Sequence, residues 1–164
     1  MGLTNLGIFH TIIGIIAIAA GIASYVKYGR INLRVLSGKL YLIGTLSACL
    51  TALGLSKAGG FNPGHILSLM VIVLVLAAVY LNQRRRGNTS ARFFENFCLS
   101  FSFFLSLIPT VAETFQRIPV GDPLAKSQGD PVIGKTLLTL FVLFVAGSIY
   151  QFIIQKRING SARK

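Results

Sequence analysis

Two histidines are the only imidazoles in the 164-residue sequence, and each lies close to a glycine: His10 stands four residues before Gly14, and His65 directly follows Gly64. Imidazole nitrogens ligate haem iron or a divalent metal. Paired histidines on facing helices, with small residues beside them, are the requirement of a bis-histidine haem b site, and His10 and His65 are the candidates for it. Adding the carboxylate of Glu113 gives a nitrogen and oxygen donor set, His10, His65 and Glu113, of the kind that holds a divalent metal. The alternative for each histidine is an interfacial anchor or a hydrogen-bonded packing residue. No HExxH, phosphate loop, CxxC or serine elbow occurs, so no conventional catalytic motif is present. Cys49 and Cys98 offer neither metal-ligand spacing nor a disulfide framework.

The elements that must position these residues are apolar blocks. Hydrophobic residues make up 53% of the chain, charged residues 12%, and the mean hydropathy is +0.70. The apolar residues fall in runs of about 20, the length that crosses ~30 Å of hydrocarbon. Five spans follow: about 4–26, 35–56, 63–82, 91–115 and 134–155. Asn62 suits a helix cap and Pro63 the first helical position of the third span. The first block has no Lys or Arg before it and is followed by further spans, so it is read as a retained helix. The expected fold is an all-α integral membrane bundle, one transmembrane domain over 1–164.

The net charge of +12 would fit a nucleic-acid footprint only if the bases lined one polar element. Instead they sit in short clusters between apolar blocks. Lys27, Arg30, Arg34, Lys39, Arg84, Arg85, Arg86, Arg92, Lys156, Arg157, Arg163 and Lys164 fall on one side of a five-span topology. Lys57, Arg117, Lys126 and Lys135 fall on the other. The positive-inside rule then puts the N-terminus outside and the C-terminus in the cytoplasm, as expected of a bacterial inner (plasma) membrane protein. In that topology His10, His65, Glu113 and Arg117 all approach the outer leaflet. His65 is expected to share a face with Leu69, Ile72 and Leu76.

The fourth span is the most amphipathic. Glu95, Ser102, Ser106, Thr110, Glu113 and Arg117 fall within an arc of about 80° at the helical period, opposite Phe94, Phe97, Phe101, Phe104, Ile108 and Phe115. The polar stripe is expected to face other helices and the phenylalanines to face lipid. In the first span His10, Gly14, Ala17, Gly21 and Ser24 share a narrow face, as do Tyr41, Thr45, Ala48 and Ala52 in the second. Small residues permit close helix approach in lipid, so these two spans are expected to be neighbours. The fifth span, with almost no polar face beyond Gln151 and Gln155, is expected to pack peripherally.

His10-x3-Gly14-x6-Gly21, Gly38-Lys39-Leu40-Tyr41 and Gly64-His65 together resemble a family of bacterial membrane proteins defined by a conserved domain of unknown function, over about Ile8 to Tyr80. The resemblance implies a multi-pass fold and a pairing of His10 with His65, and it supplies no reaction. Members usually carry a further histidine before the second span, where this chain has Asn32-Leu33-Arg34, which weakens a three-histidine or two-haem reading. Three function classes follow: a structural or accessory subunit of a larger membrane complex, a haem-b- or metal-binding redox protein, and a small transporter. The first is preferred. The expected partners are the lipid bilayer and other membrane subunits, with no nucleic acid.

Overall fold

A computed structural model describes residues 4–55, 60–84 and 89–161. It consists of five helices and, among the described residues, no strand. They are α1 (Asn5–Tyr28), α2 (Leu36–Leu53), α3 (Pro63–Arg84), α4 (Thr89–Phe115) and α5 (Pro131–Ser161). All five are long and apolar enough to span a membrane. The chain is therefore a polytopic helical membrane protein, as its sequence predicts. Lys57, Arg85, Arg86, Arg163 and Lys164, which contribute to the charge asymmetry, lie outside the described residues.

Local chemistry sets the boundaries. Thr4 caps α1 by accepting from the Gly7 amide at 3.1 Å, and Gly29 ends the helix in the left-handed region (φ 66°) with its amide on the Tyr25 carbonyl. Asn32 then turns the chain, its side-chain oxygen accepting from the Arg34 amide at 3.1 Å. Gly38 is required here: a Cβ would sit 1.9 Å from the Asn32 carbonyl oxygen. At α5, Asp130 accepts from the Val132 amide at 3.1 Å and from the Lys126 amide at 3.2 Å. That cap starts the helix at Pro131, three residues before the expected Gly134.

Helices α1 to α4 close into a four-helix ring: α1 packs on α2, α2 on α3, α3 on α4, and α4 touches α1. Helix α5 stands outside the ring against α4, the peripheral place its apolar sequence predicts. Small residues line the α1–α2 crossing, where a Cβ on Gly44 would come within 2.9 Å of the Ala17 Cβ. Gly21 makes room for the Phe103 ring, which in turn lies against Tyr25 and Tyr41. Gly14, expected on the same face, has open space where its Cβ would be.

The aromatic wall of α4 corrects an expectation. Phe94 and Phe97 are exposed as expected, but the half-buried Phe101 and Phe104 pack at 5.5 Å against Phe144 of α5, which also meets the Phe97 ring at 5.9 Å, and Phe93 meets Phe152 at 4.5 Å. Helical periodicity indicates which face is aromatic. It does not indicate that another helix covers that face, because lipid and a neighbouring helix are equally apolar.

Candidate functional site

At the end of the bundle where α1 starts, the histidines and Glu113 take separate partners. The Nδ1 of His10 lies 3.0 Å from the Ala48 carbonyl oxygen and 3.1 Å from the Thr51 hydroxyl, both on α2. A carbonyl only accepts, so Nδ1 carries a proton, and in neutral imidazole the lone pair is then on Nε2.

His65 has the opposite tautomer. Asn62 caps α3 by accepting from the His65 amide at 3.2 Å, while His65 Nδ1 accepts from the Asn62 amide at 3.2 Å. This is a reciprocal capping box with histidine in the place usually taken by Glu or Gln. Because Nδ1 is the acceptor, neutral His65 carries its proton on Nε2. A ligating histidine donates through one nitrogen and binds through the other. His65 in this arrangement offers neither nitrogen as a free lone pair, so only His10 has the form of a ligand.

Two expectations about this end are corrected. His65 does not follow Leu69, Ile72 and Leu76 to the outside: it is buried on the face formed by Ser68, Val71, Val75, Ala78 and Asn82, while Leu69 and Leu76 are exposed. Nor do His10, His65 and Glu113 assemble a metal site, since among the described residues no three His, Cys, Asp or Glu side chains gather closely enough to hold an ion. The reason is local: His10 Nδ1, His65 Nδ1 and Glu113 each have a nearer partner, and the buried Nε2 of His65 has no hydrogen-bond partner among the described residues. Glu113 lies exposed and ion-paired with Arg117 one turn on, so the C-terminal end of the polar stripe faces away from the core.

The densest buried polar chemistry is at the opposite end. Glu95 is 3% exposed and accepts from the Asn82 side chain at 2.7 Å, with Arg92 at 4.0 Å. Arg30, in the turn between α1 and α2, donates to Asn96 at 3.4 Å. Tyr25 donates to Ser100 at 2.8 Å, Ser100 to Gln151 at 3.1 Å, and Gln151 to the Gly29 carbonyl at 2.9 Å, tying α1, α4 and α5 together. Ser102 spends its proton on the Leu99 carbonyl, so Tyr41 donates to Ser102 at 2.8 Å. Ser24 links both sides of the α1–α2 turn, donating to the Arg30 carbonyl and accepting from the Asn32 amide. Ser106 and Thr110, further along the stripe, donate to carbonyls one turn back and are only half-buried.

Arg30 carries the electrostatic signature of the region. Burial, then the neighbouring Arg92, pull its guanidinium below the ordinary value; Glu95 acts in the opposite sense and Arg34 adds to the depression.

Of the stripe, Glu95 and Ser102 are buried among other helices, while Glu113 and Arg117 are not. Sequence reasoning missed Tyr25, Arg30, Asn82, Asn96 and Ser100. The available signal was Asn82 and Glu95 flanking one short α3–α4 connection, with Asn96 and Ser100 one turn apart on the same helix. Comparison with protein families, curated proteins and solved structures finds no match for this chain.

Proposed function

We propose that this chain is a structural or accessory subunit of a larger membrane complex, held N-out and C-in in a bacterial inner membrane. The observation that carries the reading is the internal use of its chemistry-bearing side chains. His10 Nδ1 is engaged by the α2 backbone, His65 Nδ1 by its own helix start, Glu113 by Arg117, and Glu95 by Asn82. What remains outward is apolar packing surface, notably Leu138, Val142, Ile149 and Ile153 of α5 and Ile8, Ile12, Ile15 and Ile22 of α1. The asymmetry of Lys and Arg supports the orientation. The resemblance over Ile8 to Tyr80 is in keeping with a multi-pass bacterial protein and adds no reaction.

The test is site-specific photo-crosslinking in native membranes. A crosslinker at Ile149 or Val142 should give a discrete higher-mass adduct containing a second membrane protein, and one at the ring-covered Phe144 should not. Adducts to lipid alone from every α5 and α1 position would refute the subunit reading. Reporter fusions after Lys126 and at the C-terminus test the orientation, with outside and cytoplasmic signals expected in turn.

A further inference from the structure

The basic end of the bundle has charge that its own acids do not balance. The chain has four Asp and Glu residues in all, and three of them, Glu113, Asp122 and Asp130, belong to the opposite end. Glu95 is therefore the single acid at the end where Lys27, Arg30, Arg34, Lys39, Arg84 and Arg92 lie. Arg30, Arg34 and Arg92 converge from two elements, the α1–α2 turn and the first turns of α4. Glu95 lies beneath them, with its carboxylate taken up by the 2.7 Å bond from Asn82 and by Arg92 at 4.0 Å.

Arg30 is the exceptional member. Its guanidinium is half-withdrawn from solvent, and its partner among the described residues is the neutral Asn96 oxygen at a long 3.4 Å. A guanidinium has five donors in a fixed planar fork and keeps its charge in proteins. Glu95 offsets one of the three charges of Arg30, Arg34 and Arg92, so the cluster keeps a net charge of +2, and holding Arg30 half-desolvated within it costs free energy unless a further anion joins it. The fork matches two oxygens of a phosphate, and the location supplies one: the last turn of α1, where Lys27 lies over the Tyr28 ring, precedes Arg30 at the level where a spanning helix leaves hydrocarbon for headgroups.

We propose that the cluster of Arg30, Arg34, Arg92 and Asn96, where the α1–α2 turn meets the start of α4, binds a phosphate group, presented by an anionic phospholipid or by a soluble phosphate. Arg30, Arg34 and Arg92 take the phosphate oxygens, and Asn96 holds the Arg30 fork in place. Basic pockets between spanning helices bind lipid headgroups by this chemistry.

Native mass spectrometry of the full chain in detergent tests it, with phosphatidylglycerol, phosphatidylcholine and inorganic phosphate as probes. One phosphatidylglycerol should be retained in preference to phosphatidylcholine, and Arg30→Gln or Arg34→Gln should each weaken retention about fivefold, the loss of one surface charge–phosphate contact. Lys27→Gln, the same charge change at the same end, should leave retention unaltered. Arg34 is exposed and its removal leaves the core intact, so the test survives if Arg30→Gln fails to fold. Saturable binding of inorganic phosphate that displaces the lipid would assign the cluster to a soluble phosphate. Equal retention of the two lipids with no phosphate binding, or equal losses from Lys27→Gln and Arg34→Gln, would overturn the site.

Discussion

Removing Asn82 isolates the one buried carboxylate of the bundle and tests how that carboxylate is held. Glu95 is 3% exposed, and the Asn82 amide reaches it at 2.7 Å. In a soluble core a hydrogen bond to a charged group contributes about 1.5–3 kcal/mol. Between membrane helices the measured couplings are smaller, averaging ~0.6 and reaching ~1.7 kcal/mol, because the separated helices also find partners. A carboxylate is the acceptor here and the contact is short, so the upper membrane value governs, and a coupling of about 1–2 kcal/mol is expected. The assay is a double-mutant cycle on Asn82→Ala and Glu95→Ala, read from SDS-induced unfolding in mixed micelles by circular dichroism. Glu95→Gln separates charge from hydrogen bonding: its amide oxygen still accepts from Asn82, and the 4.0 Å approach of Arg92 is loose, so its cost should stay below about 1 kcal/mol. A coupling below about 0.5 kcal/mol would mean that the carboxylate is satisfied without Asn82, and the account of this end would fail.

Other consequences are as direct. His65→Gln should preserve the α3 capping box, whereas His65→Ala should cost about 1 kcal/mol in the same unfolding assay. Protein purified from haem-replete cells should show no Soret band, and a Soret band abolished by His65→Gln would contradict the tautomer argument. Gly14→Ala should be neutral or stabilising by up to about 1 kcal/mol, while Gly38→Ala, which drives a Cβ into the Asn32 carbonyl, should unfold the α1–α2 turn. Two backbone amides hold the Asp130 carboxyl below the usual carboxylate range. Its contribution to the α5 start is therefore present above the ordinary Asp pKa of about 3.9 and is lost as pH falls through the lower folded value. Amide exchange at Lys126 and Val132 should quicken over that acidic window and be insensitive to pH in Asp130→Asn once intrinsic rates are divided out.

What the sequence disclosed, and what it hid, follows from the solvent. Apolar runs of spanning length are visible because lipid demands them, and all five helices lie where those runs do. The close approach of α1 and α2 is visible too, since Ala17, Gly21, Ser24, Tyr41 and Thr45 lie on the buried faces expected of them. His65 was assigned to the wrong face because Leu69, Ile72 and Leu76 form a conspicuous apolar stripe. In water such a stripe faces the core, but in lipid it can face outward, and the inner face of α3 is marked instead by Ser68, Ala78 and Asn82. The relay from Tyr25 through Ser100 to Gln151 joins residues on three helices, and helical period alone cannot bring them together.

Helix α4 explains why the polar end is ordered and the histidine end is not a shared site. Near its start, Glu95, Asn96, Ser100 and Ser102 bond respectively to α3, the α1–α2 turn, α1 and α2. In hydrocarbon each such group must find a partner or remain unsatisfied at a cost of several kcal/mol, so four partners on four different segments fix where α4 can sit. Its opposite face is fixed by ring packing on α5, through Phe144 above all. Beyond Ser102 the stripe turns to its own backbone, with Ser106 and Thr110 bonded to carbonyls one turn back, and Glu113 turned to Arg117. The last two turns of α4 thus make no polar demand on α1 or α3. His10 and His65, on those two helices, are left to local partners, and the bundle gains its specificity at the end where its arginines gather.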